Sequence, residues 1–151
     1  MTDGDIESRL QQVEAHLAIH RLVAEYCHGA DKRDLARFLA VWCADAVWDV
    51  GTRKFQGRGE IRAAIEHQWA AQPRMFHWTT NLSITVGPDQ GTASGESDVE
   101  TVTQLADGTW LHSAGSYQDV YRQDDATWRI ARRTAVVHVS RRTAGPAPVG
   151  P

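Results

Sequence analysis

Apolar residues along the chain change their spacing once, near residue 73, and that change divides a helical part from a strand part. Ile6, Leu10, Val13, Leu17 and His20 recur at three- and four-residue steps, and Ile19, Val23 and Tyr26 do so on an adjoining face. The spacing predicts one amphipathic helix, which Gly29 is placed to end in a left-handed C-cap. The stretch "DKRDLARFLAVW" restarts a helix, with Asp31 as N-cap and Leu35, Phe38, Leu39 and Trp42 on its apolar side. A short β-prone run, "AVWDV" (46–50), is closed by Gly51. A third helix, "GEIRAAIEHQWA", carries Ile61, Ile65 and Trp69 on one side and stops at Pro73.

Beyond Pro73 the pattern is that of strands, near 76–86, 92–105, 109–122 and 127–140, separated by the turn sequences "GPDQG", "ADG" and "QDDA". Links this short predict an antiparallel meander. Helices followed by such a sheet make an α+β fold, and a sheet curling around its helices leaves a cavity between the layers. The Pro/Gly-rich ending "TAGPAPVGP" reads as disordered. The expectation is a single domain over 1–140 and a disordered tail over 141–151. With 151 residues the chain buries about 70% of its unfolded surface and needs no staple.

Charge removes several classes of partner. The net charge is −3 and no Lys/Arg stripe forms, which argues against nucleic acid. Cys27 and Cys43 fit neither a disulfide framework nor a metal pattern and suit a reducing compartment. No apolar run reaches the roughly 20 residues of a membrane span. The acidic start "MTDGDIESRL" lacks the apolar segment of a signal peptide. A cytoplasmic protein with no membrane partner is expected.

Few residues carry candidate chemistry. His77 sits second in "FHWTTNL", between two aromatics. It is either a half-buried core histidine or a general base at a cavity mouth. Asp31 is either a helix cap or the carboxylate that orients an imidazole. Tyr26 is either a core tyrosine or a phenol donor to a leaving oxygen. In "WRIARR", period two places Trp128 and Ile130 on one face and Arg129, Ala131 and Arg133 on the other. Asp98 and Glu100 also share a face. If that face is inward, they require a partner that Arg133 could supply. His16 and His20 are one helical turn apart, but with no third ligand in view no metal is expected.

Taken in order, "HGADKRDLARFLAVWCADAVWDV", "FHWTTNL" and "GSYQDVYRQDDATWRIARR" resemble the SnoaL-like branch of the NTF2-like superfamily, from about Ile19 to Arg133. The likeness is to the branch that holds hexachlorocyclohexane dehydrochlorinase, bile-acid 7α-dehydratase and scytalone dehydratase. It implies a cone: three N-terminal helices packed on a strongly curved, mainly antiparallel sheet around a pocket. It also implies a cofactor-free lyase acting on a small hydrophobic, oxygenated substrate, and a homo-oligomer, a trimer favoured over a dimer. Residue by residue it assigns catalysis to Tyr26, Asp31, His77 and Arg133. Substrate contact falls to Trp48, Trp69, Asp98, Glu100, Gly115 and Tyr117. The same resemblance leaves room for an isomerase, a polyketide cyclase, a ligand-binding cone or a dioxygenase small subunit.

Overall fold

The structure, a computed structural model, describes residues 3–144. Helix α1 (Asp3–Asp31) is followed by the short α2 (Leu35–Ala40), strands β1 (Trp42–Asp49) and β2 (Lys54–Gln56), and helix α3 (Gly57–Ala71). Four long strands complete the chain: β3 (Arg74–Val86), β4 (Thr92–Gln104), β5 (Trp110–Asp124) and β6 (Thr127–Thr143). They form one six-stranded sheet in the order β2-β1-β6-β5-β4-β3. The β3–β6 meander is antiparallel as the short turns require, and β1 joins it parallel to β6. The sheet is open: β2 and β3 are its two edges.

The core lies between the helices and the concave face of the sheet. Ile19, Val23 and Tyr26 enter it from α1, Phe38 from α2 and Ile61 and Ile65 from α3. They meet Trp42, Trp48, Tyr117, Tyr121, Trp128 and Ile130 of the strands. Of the two apolar faces read in the first helix, the second is therefore the core face. Ile6, Leu10, Val13 and Leu17 stay 49%, 56%, 55% and 66% exposed.

Several boundaries differ from the sequence reading, each for a physical reason. Helix α1 continues through Gly29 to Asp31, and the left-handed residue beyond it is Arg33, at φ 55°. The glycine is there for space: a Cβ on Gly29 would lie 2.6 Å from the amide nitrogen and 2.7 Å from the Cα of Phe38. Gly29→Ala gains at most ~1 kcal/mol of helix propensity and meets backbone that cannot step aside, an overpacking worth ~1–3 kcal/mol. The variant is expected to be less stable in urea, and a midpoint at or above wild type would contradict that close approach. Helix α2 is capped by Asp34, whose Oδ1 accepts from the Arg37 amide at 3.0 Å, rather than by Asp31. It ends early because Trp42 already belongs to β1. Strand β2, only three residues long, has too little pattern to be read. β6 runs to Thr143, so 141–143 is strand rather than tail, while 145–151 lie outside the described residues.

Candidate active site

His77 and Asp31 meet where the end of α1 touches the free edge of the sheet. On an edge strand every second backbone N–H has no strand to bond. The His77 amide instead donates to Asp31 Oδ2 at 2.9 Å. The other oxygen, Oδ1, lies 2.5 Å from His77 Nδ1. Both carboxylate oxygens are thus spent on one residue, and Asp31 caps no helix. A carboxylate only accepts, so Nδ1 carries a proton, and Nε2 is the ring nitrogen that Asp31 leaves free on a side chain lining the cavity. The neighbouring chain is tied down around the pair. Arg33 Nη2 donates to the carbonyls of Trp69, Gln72 and Pro73 at 2.7, 3.1 and 2.9 Å, and Trp69 Nε1 donates to Ala30 O at 2.8 Å. These bonds lock the end of α3, the start of β3 and the end of α1 together, which fixes the ring against its carboxylate.

Next to His77 lies a second buried assembly. The Tyr26 and His77 ring centroids are 6.1 Å apart, edge to face. Arg133, 0% exposed, sits in the corner between the Tyr26 and Tyr117 rings, which meet at 75°, with its guanidinium carbon 4.1 Å from each ring centre. Its Nε and Nη2 donate to the two oxygens of Asp119 at 2.8 and 2.7 Å, and the Tyr121 hydroxyl donates to Asp119 Oδ2 at 2.7 Å. Burial opposes the arginine's charge, but Asp119 overrides it and holds the guanidinium firmly protonated.

All three tyrosines of the chain are held as phenols well above their ordinary range, chiefly by burial; Tyr26 is pushed up to about 12. Tyr26 is therefore a proton donor at any working pH. Because the unfolded phenols release protons near their ordinary value of 10.0 while the folded ones keep theirs, stability present below pH 10 is lost as pH rises towards 12. Phenolate absorbance should appear only together with unfolding. Phenolate forming near pH 10 in a protein with native circular dichroism would contradict this burial.

The cavity that these groups face has a volume of about 360 Å³. Its walls are mostly apolar, with Trp48, Val50, Phe55, Val99, Ala135 and Val137 among them. His77, Tyr26 and Tyr117 supply polar atoms on its buried side, and the half-buried Thr101 and Ser113 add hydroxyls, that of Ser113 lying 2.9 Å from Ser140 Oγ. Gly115 lines it because backbone passes there: a Cβ would fall 2.0 Å from Val136 O.

Of the expected site residues, Tyr26, His77, Trp48, Gly115 and Tyr117 line the cavity, and Asp31 and Arg133 stand directly behind it. Three do not fit the expectation. Asp98 and Glu100 are exposed on the convex face, where Asp98 Oδ2 accepts from Asn81 Nδ2 at 2.6 Å; inward positions on β4 belong to Val99 and Thr101. Trp69 packs on Phe38 at 6.4 Å between centroids, away from the cavity lining. Arg133 consequently pairs with Asp119, not with Asp98 or Glu100. It faces inward because Ala131 is an extra, unpaired residue between Ile130, opposite Tyr121, and Arg132, opposite Val120. That bulge breaks the period-two reading of "WRIARR". Asp119 itself was readable: in "YQDVY" it shares a face with Tyr117 and Tyr121, and a carboxylate between two core tyrosines needs a buried cation.

Comparison with known proteins agrees with this architecture. A gamma-hexachlorocyclohexane dehydrochlorinase from Sphingobium indicum is 27% identical over 142 residues, 91% of this chain and 90% of the relative. The crystal structure of a type 2 hexachlorocyclohexane dehydrochlorinase superposes with a TM-score of 0.87 at 23% identity, over 94% of this chain and 99% of that one. A protein proposed to be a scytalone dehydratase, from Novosphingobium aromaticivorans, superposes with a TM-score of 0.81 at 18% identity, over 93% and 97% of the two chains. At such identities the structural likeness is one of fold. The model of the SnoaL-like domain matches residues 11–134, most of the chain, and the protein belongs to the SnoaL-like domain family.

Proposed function

We propose that the protein is a cofactor-free lyase that eliminates water, or a comparable leaving group, from a small and largely apolar oxygenated substrate such as a cyclic ketone. The observation that carries this reading is the 2.5 Å contact of His77 Nδ1 with Asp31 at the cavity wall, which leaves Nε2 as a base inside an apolar chamber. The kinship with dehydrochlorinases, which are lyases, points the same way. Nε2 takes the proton from the carbon next to the carbonyl. The C–H electrons become the new C=C bond, and the bond from the β-carbon to the leaving oxygen breaks. Asp31 stabilises the imidazolium that forms. The Tyr26 phenol gives the departing oxygen its proton, so water leaves and the electron count closes. Arg133 acts through the two phenols it lies between, making them better donors. The oxygen-binding donors here are Tyr26 and Tyr117 with Thr101 and Ser113, in place of the acidic pair on β4.

A homo-oligomer, a trimer favoured over a dimer, and a cytoplasmic location belong to the same proposal. Phe76 and Trp78, 40% and 54% exposed on β3, and the bare stripe of α1 are apolar surface of the kind that subunits cover. Among the described residues no helix is long and apolar enough to cross a membrane.

The deciding experiment is a screen of β-hydroxy ketones, from hydroxytetralones to steroid ketones, for the rise of enone absorbance. Enone formation that is lost in His77→Gln supports the proposal; enone formation that survives the substitution, or none from any substrate, rejects it.

A further inference from the structure

The cavity has a second polar end that the elimination chemistry does not use. Arg53, His67 and Gln68 line it, and Arg53 and His67 are exposed, so they form its solvent-facing rim. Arg53 is set there by the β1–β2 turn. Gly51 takes φ 81°, its amide donates to Asp49 Oδ1 at 3.0 Å, and the Val50 amide donates to Arg53 O at 2.9 Å. Three cations gather around this turn, but only two of them reach a carboxylate, and they share it. Lys54 Nζ and Arg132 Nη2 both reach Asp49 Oδ2, at 3.2 and 3.6 Å. No carboxylate of the described residues pairs with Arg53. An unpaired guanidinium at the open end of an apolar chamber is a ready fork for a carboxylate.

Building on the lyase reading, we infer that the substrate carries an anionic group, a carboxylate, at the end remote from the scissile bond. Arg53 binds that group, His67 stands beside it, and the apolar body lies along Val50, Phe55 and Val137 with its carbonyl end at Tyr26 and His77. A substrate of this class has a neutral, reactive half and a charged handle. Arg53 is then the residue that selects it, and the catalytic pair needs no change to accept another handle. Placement at the rim also keeps the anion in contact with water, so the ion pair forms without the large desolvation cost of a buried one.

The test uses two isosteric probes, 1-tetralone-6-carboxylate and its neutral carboxamide. Each is titrated into the full chain and followed by NMR at the Ala114 and Gly115 amides, which report on the cavity. The wild type should bind the carboxylate at least ~5-fold more tightly than the carboxamide at low salt, as expected for a charge-assisted pair. Raising salt from about 0.01 M to about 0.3 M should narrow that ratio. In Arg53→Gln the ratio should fall to within ~2-fold, and Arg53→Lys should keep part of it, since a point charge replaces a fork. No carboxylate preference in the wild type, or a preference that survives Arg53→Gln, overturns the inference. The lyase reading fails separately: it falls if no β-hydroxy ketone yields an enone, whatever the probe ratio.

Discussion

His77→Gln is expected to lower elimination by at least ~10²-fold, the usual contribution of a positioned base, with a urea midpoint close to that of the wild type. Glutamine keeps the backbone N–H that donates to Asp31 Oδ2 and much of the ring's volume, but has no basic nitrogen. Asp31→Asn should approach the same loss while leaving the ring in place. An amide side chain presents one oxygen where the carboxylate presents two, and it carries no charge to stabilise the imidazolium. The two losses should not add, because each disables the same unit. Kinetics on the two single variants and the double variant check this. A double variant whose deficit equals the product of the single deficits would mean that the residues act independently, and the pair would lose its meaning.

The second large effect is on stability. Asp119→Ala should cost ~3–5 kcal/mol, because it strands the Arg133 charge in a site where the guanidinium is 0% and Asp119 only 3% exposed. Against a typical total of about 5–15 kcal/mol that is about a fifth of the fold or more. The contacts with the Tyr26 and Tyr117 rings soften the loss without cancelling it, as each cation–π contact is worth up to ~2 kcal/mol but is present in both proteins. Replacing both partners, Asp119→Leu with Arg133→Met, should return much of the stability, since it strands no charge and leaves only the Tyr121 hydroxyl without its acceptor. Urea unfolding of the single and double variants measures the coupling. A cost below ~1 kcal/mol for Asp119→Ala would show that water reaches the guanidinium, which its burial denies. The restored double variant is the more informative protein for chemistry: stable, yet without the cation between the phenols, it isolates what Arg133 contributes to turnover.

Much of this was legible beforehand, and what failed did so for identifiable reasons. Helix followed by meander could be read because apolar spacing and turn residues are local signals. The Tyr26, Asp31 and His77 set came from the order of motifs, which the fold then brings to one place. Faces were harder. Asp98 and Glu100 share a side of β4, but nothing within β4 says which side is concave; that is decided by β3 and β5, which place Val99 and Thr101 under the helices. Arg133 was assigned to the right region and the wrong partner, because strand alternation holds only where pairing is regular. In α1 the apolar stripe with the cleanest spacing, Ile6 to Leu17, proved to be the bare one. Amphipathic periodicity marks a face that needs covering and is silent on what covers it.

The two irregular residues of β6, Ala131 and His138, interrupt pairing with β5 on either side of the cavity wall. Between them the strand presents Arg133, Ala135 and Val137 inward, while Arg132 and Thr134 look out. Were the first bulge to slip by one position, Arg132 would enter the core and Arg133 would leave it, with no amino acid changed. For a lineage of such proteins this makes single-residue insertions and deletions in strands a route to new specificity that substitution alone does not offer. It also means that two members aligned column by column can agree in sequence along β6 and still present different residues to their substrates.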